Sequence, residues 1–201
     1  GPRRDVIAAQ GLTLVSGERV TRVRPAVAAT IAEAGALGVF EVAVVAVKSY
    51  HTRAVATELA AVGAPERIAS FQNGVGNDRV LADALPGSVL HAATLATGLT
   101  VEASGTVRGT RNGGVGLGAA PGGPDVGDLA DVLRRGGLVV RTYTDPEAMK
   151  GSKLLLNVLG SATSAALGWP PARVFADRRL FDVEVAAWRE AVAVMRAQGL
   201  A

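Results

Sequence analysis

Cysteine is missing from all 201 residues, which closes off disulfide frameworks and thiolate metal sites. A reducing compartment is the natural setting for such a chain, and a cytoplasmic location is expected. Histidine is nearly missing too: His51 and His91 are the only two and lie far apart in sequence. A metal site would have to gather scattered carboxylates around them, so no metal is expected and both histidines read as structural. Aromatic residues are scarce, at 4%, and the basic residues are scattered arginines rather than a patch interleaved with aromatics. Nucleic acid is therefore not an expected partner. No apolar run is long enough to cross a bilayer, and no charged start followed by an apolar core opens the sequence, so neither a membrane partner nor a targeting segment is expected.

What remains is a chain of which 49% is apolar, enough to bury a core in one generous domain or two modest ones. Residues 11 to 24 alternate apolar and polar on either side of Ser16-Gly17, the pattern of a β-hairpin. "VAVVAV", residues 42 to 47, is continuously apolar and β-branched, as in a strand covered on both faces of a parallel sheet. An amphipathic helix follows over about Thr52 to Val62, then a short strand, Arg67 to Phe71, then "QNGVGND" and another helix. This β-α-β-α order is that of a doubly wound sheet.

Between Ser88 and Gly118, strand-like runs are broken by Gly98, Gly105 and Gly113-Gly114, predicting antiparallel strands added to one side of that sheet. A helix near Asp128 to Arg135 and the strand "LVVRTY" come next. Thr144 and Glu147 form a capping-box pair with Pro146 in the first turn, so a long helix is predicted to start there. A last helix is predicted over about Arg179 to Ala197, where Val185, Trp188, Val192 and Met195 make one apolar face. The domain boundary accordingly falls near residue 145.

Ligands of open α/β sheets bind beyond the carboxyl ends of the strands. Two strands here end in polar groups, the first at Lys48 and the second at Gln72 and Asn73, just before Gly74 and Gly76. Glycines at that place let a ligand approach the backbone, and the following helix start favours an anion. A solvated loop with Asn-Gly turn chemistry is the competing reading. In the helix after residue 145, Lys153, Asn157 and Ser161 or Ser164 share one face, while Leu155, Val158, Leu159 and Ala162 point elsewhere. That face is either an exposed stripe or the wall of a site, where small residues leave room and a lysine held largely dry would suit proton transfer. "GGVGLGAAPGG", residues 113 to 123, mimics a nucleotide loop but lacks a strand before and a helix after it, so it is read as turns.

Together "VVAVKSYHT", "SFQNGVGN" and "KLLLN", in this order and in these positions relative to the strands, resemble the ketopantoate reductase family, the 2-dehydropantoate 2-reductases. The resemblance implies an α/β fold: a Rossmann-like, mostly parallel sheet with helices over residues 1–145, then the start of an all-helical domain over 146–201. It implies NADPH-dependent reduction of a ketopantoate-like 2-keto acid to a pantoate-like 2-hydroxy acid, in pantothenate biosynthesis, with a homodimer as one assembly it allows. Lys153 matches the family's catalytic lysine, which donates the proton to the keto oxygen. Asn157, Asn73 and Lys48 match substrate-binding positions, and Lys48, Gln72, Asn73 and Gly74 are the expected cofactor contacts.

Two departures qualify the expectation. The family's glycine-rich loop belongs to a first β-α unit that this sequence does not contain, and the helical domain stops before further substrate-binding serine and acidic positions. The chain is therefore expected to bind NADPH poorly and to turn over slowly. The alternative is a folded, non-catalytic remnant or interaction module derived from such a reductase.

Overall fold

The alternating stretch near the start does form the hairpin that its pattern predicts. In the computed structural model, which describes residues 2–111, 113–119 and 125–200, helix α1 (Pro2–Gln10) leads into antiparallel strands β1 (Leu12–Ser16) and β2 (Arg19–Val23). Ser16 faces Arg19 across a two-residue turn in which Gly17 takes φ +57, a conformation that side chains disfavour.

The β-α-β-α order follows: α2 (Ile31–Gly35), β3 (Val42–Val45), a single 3-10 turn at Ser49–His51, α3 (Thr52–Val62), β4 (Arg67–Ser70), α4 (Asn77–Ala84) and β5 (Val89–Leu95). Next come β6 (Gly98–Val101), β7 (Thr106–Arg111), β8 (Val115–Ala119), α5 (Gly127–Arg135) and β9 (Val140–Tyr143), and the chain continues as α6 (Pro146–Val158), α7 (Ser161–Leu167), α8 (Pro171–Ala176) and α9 (Arg178–Ala197). A five-stranded sheet has the order β3-β4-β5-β8-β9, and a four-stranded sheet the order β2-β1-β7-β6. Strands β3, β4 and β5 are mutually parallel, β8 runs antiparallel to β5, and β9 runs parallel to β8.

Two apolar cores cover the larger sheet, one on each face. On one, Ala69, Ala93, Val115, Leu117 and Val140 pack against Val126, Leu129 and Ala130 of α5 and its approach. On the other, Val45 and Ile68 pack against Ala56 and Leu59 of α3 and Leu81 and Leu85 of α4. Each large side chain buried this way contributes roughly 1.5–3 kcal/mol. His91 is fully buried in β5, and its Nε2 accepts a hydrogen bond from Arg67 Nε at 3.2 Å.

The run at residues 42 to 47 is not covered on both faces: β3 is an edge strand among the described residues, and Val44 is 59% exposed. The stretch from Ser88 to Gly118 does not simply add antiparallel strands to one side; β5 is parallel and central, and β6 and β7 leave to pair with the first hairpin. Residues 115–119 of the glycine-rich stretch are a buried strand rather than turns, whereas 120–123 lie outside the described residues. Its alternation explains the composition, since Val115 and Leu117 face α5 while Gly116 and Gly118 face α6. A Cβ on Gly116 would come 2.8 Å from Met149 Sδ, and one on Gly118 would come 2.7 Å from Pro146 Cβ.

The cap of α6 is Asp145, one residue past the expected Thr144; its carboxylate accepts from Ala148 N at 2.8 Å. The helix also ends sooner than its apolar pattern implies. Leu159 turns extended, Gly160 takes φ +70, and α7 starts afresh, so Ser161 and Ser164 do not continue the face of Lys153. Glu184, buried on α9, pins this break by accepting from Gly160 N at 2.7 Å and from the Thr163 hydroxyl. Those two donors, the hydroxyl first, hold its carboxyl below the usual range.

Candidate functional site

The carboxyl ends of β3 and β4 lie side by side because the strands pair in parallel with Val45 opposite Ser70, and Phe71 N donates to Val45 O at 2.8 Å just beyond. The loops that follow are therefore joined. Gln72 is buried, and its Nε2 donates to Val47 O at 3.0 Å and to Thr52 Oγ1 at 2.8 Å. Asn77 Nδ2 donates to Ser49 Oγ at 3.2 Å and to Asn73 O at 3.0 Å. Thr52 Oγ1 lies 2.8 Å from Ser49 O and 3.1 Å from Asn77 Oδ1, one proton serving either acceptor. Lys48 and the Asn73 side chain stay exposed at this junction, and Gly74 takes φ +87. Sequence reasoning brought Lys48, Gln72, Asn73 and Gly74 to two neighbouring strand ends, and there the structure has them.

Helix α6 packs against β5 and β8, beside these strand ends. Lys153 is part-buried and lines a cavity of about 600 Å³ together with Thr94, Gly114, Tyr143, Asp145 and Ser152. The Thr94 hydroxyl is buried and has no hydrogen-bond partner among the described residues. Lys48, Gln72, Asn73, Gly74 and Asn157 are not in the lining of this cavity. Asn157, in the last turn of α6, is part-buried, and its backbone carbonyl accepts from Ser161 Oγ at 2.6 Å.

The lysine that the fold dries out is Lys150, one turn before Lys153. It is 3% exposed. Its Nζ donates to Ser70 O at 3.0 Å, Ser70 Oγ at 3.2 Å, Gln72 O at 3.3 Å and Asp78 Oδ1 at 3.0 Å. Burial pushes this ammonium below the usual lysine range, and the Asp78 carboxylate works against that shift. Sequence reasoning missed Lys150, Thr52, Asn77, Asp78 and Thr94. None has a local signature, because each is defined by partners on another strand or helix.

The sequence model of the ketopantoate reductase PanE/ApbA family matches residues 2–122. This chain belongs to that family. A 2-dehydropantoate 2-reductase of Halobacterium salinarum is 31% identical over 163 residues, 78% of this chain and 52% of that protein. A PanE/ApbA family ketopantoate reductase of Ralstonia eutropha JMP134 superposes with TM-score 0.84 at 24% identity, covering 98% of this chain and 64% of that one. D-mandelate dehydrogenase, solved as a ternary structure with NADH and anilino(oxo)acetate, superposes with TM-score 0.83 at 14% identity, covering 99% of this chain and 64% of that one. At these identities the structural matches establish the Rossmann-like fold alone. The chain spans about half the length of its curated ketopantoate reductase relative.

Proposed function

We propose that this ketopantoate reductase family chain carries the nicotinamide and substrate side of an NADPH-dependent reductase of 2-keto acids, with a ketopantoate-like substrate and a pantoate-like product. The observation that carries this reading is the shared cavity of Lys153 and the unpartnered hydroxyl of Thr94. In the proposed division, residues to about 145 bind cofactor and residues 146–201 begin the helical, substrate-side part. A cytoplasmic homodimer belongs to the same proposal.

The residues present fit the nicotinamide end of such a cofactor. Gln72 Oε1 and Thr94 Oγ1 are buried without partners among the described residues, and Gly74 keeps a left-handed backbone without strain. When bound, the cofactor supplies a hydride. Lys153 donates a proton to the keto oxygen as negative charge develops there, yielding the 2-hydroxy acid. Asn157 and Asn73 orient the substrate, and Lys48 stands at the mouth of the cleft to attract its carboxylate. The sequence has no glycine-rich phosphate loop between a strand and a helix, so the chain by itself is proposed to hold NADPH weakly.

The test is NADPH oxidation in the presence of ketopantoate and other branched 2-keto acids, repeated with NADH. It is run on this chain and on one with a strand–GxGxxG–helix unit joined ahead of it. Slow turnover in the first and turnover faster by about tenfold or more in the second is the expected result. No oxidation by either chain would overturn the reading in favour of a non-catalytic remnant.

A further inference from the structure

Lys150 plays no part in the chemistry proposed above, yet it is the most deeply buried cation among the described residues. Its surroundings are unusual for a lysine that only fills space. Four acceptors surround an ammonium with three protons: two backbone carbonyls, one hydroxyl and one carboxylate. All four come from Ser70, Gln72 and Asp78, the segment that runs off β4 and through the Asn73 turn into α4. The lysine itself sits on α6, one turn before Lys153. Moving α6 away from this segment would leave the buried charge without partners, which is costly and so resists their separation.

We propose that Lys150 is a positioning residue: it clamps the Ser70–Gln72 backbone, and with it Asn73, to the helix that carries Lys153, so that the loop and the proton donor hold one geometry. This rests on the reading of Lys153 as donor and of Asn73 as a group at the reacting centre. The loop's other side-chain ties, Ser49 Oγ to Asn73 O at 3.4 Å, Asn77 Nδ2 to Asn73 O at 3.0 Å, and Gln72 Nε2 to Val47 O and Thr52 Oγ1, run to the segment from β3 into α3 and to α4, not to α6. Apart from the exposed Arg79–Glu147 pair at 3.7 Å, which joins α6 to α4, the polar contacts from α6 to this segment among the described residues are those of Lys150. Displacement by about an ångström between catalytic groups is enough to cost on the order of a hundredfold in rate, so a clamp there acts on kcat.

The test combines amide hydrogen exchange with steady-state kinetics on the wild-type chain, Lys150→Met, Lys150→Arg and Asp78→Asn. In Lys150→Met, amides of residues 71–76 are expected to exchange about tenfold faster or more, while those of α5 are unchanged. In the same variant kcat falls about tenfold or more with KM within about threefold. Lys150→Arg, which keeps a buried cation with donors for the same acceptors, restores most of the protection and of the rate. Exchange that rises evenly over the whole chain, or a loop left unchanged, would overturn the clamp, as would an unaltered kcat in a wild type that turns over. Should Lys150→Met fail to fold, Asp78→Asn replaces it: loosening confined to 71–76 supports the clamp, and its absence overturns it. A wild-type chain that reduces no keto acid removes the donor reading of Lys153, and the exchange arm still decides whether Lys150 holds the loop.

Discussion

Arg67 decides the electrostatics of the sheet's interior. Its guanidinium is held by both oxygens of Asp128, the Nη2 to Oδ1 contact being 2.8 Å, while its Nε donates to His91. The guanidinium, followed by the Leu129 amide, pulls the Asp128 carboxyl down to about 2. Burial, reinforced by the Arg67 charge, pushes the His91 imidazolium below its ordinary value. Both folded values lie below the unfolded ones, so each contribution to stability is present above the unfolded value and is lost as pH falls. Asp128 matters only between about pH 4 and 2, leaving the window just below about pH 6.5 to His91. The unfolding free energy from urea titration is expected to drop from pH 7 to pH 5 with a slope of at most about 1.4 kcal/mol per pH unit. In His91→Gln, which keeps an acceptor for Arg67 and cannot titrate, that slope should flatten; an equal slope in the variant would mean that another group is responsible. His91 was legible in the sequence as structural. Its partners were not, because Arg67 and Asp128 are separated by 61 positions.

At the scale of elements, the close approach of α6 to β8 sets where Lys153 stands. Gly118→Ala would drive a methyl into Pro146, a rigid neighbour at the helix start, and overpacking of this kind costs about 1–3 kcal/mol. A lowered thermal midpoint is the expected outcome, with cavity ligands binding less well as α6 is lifted; a variant as stable as the parent would show that the helix can slide away at no cost. Local pattern carried much of this level. The hairpin, α3, α5 and α9 follow from alternation or helical spacing, and Arg179, Arg189, Glu190 and Arg196 of α9 are exposed. The failures share one cause. Glycines in β8 read as turns until α6 is known to lie on them, and the apolar run through Leu159 reads as one helix until Glu184, distant in sequence, is found capping Gly160.

For the molecule as a whole, family membership was legible because three short motifs, which the fold places at two adjacent strand ends and on helix α6, carry it in a fixed order. No helix among the described residues is long and apolar enough to cross a membrane. The dry ammonium expected at Lys153 is found at Lys150 instead, a division visible only once α6 is laid against β4. The account therefore assigns the two lysines separate tasks, one holding the loop and one giving the proton. The direct test is the single-turnover rate of NADPH oxidation at saturating cofactor and keto acid, in the wild-type chain and in Lys153→Ala, with NADPH affinity measured alongside by fluorescence. The account predicts a rate lower by about 10²–10⁴-fold with affinity nearly unchanged. Equal rates in the two chains would contradict it.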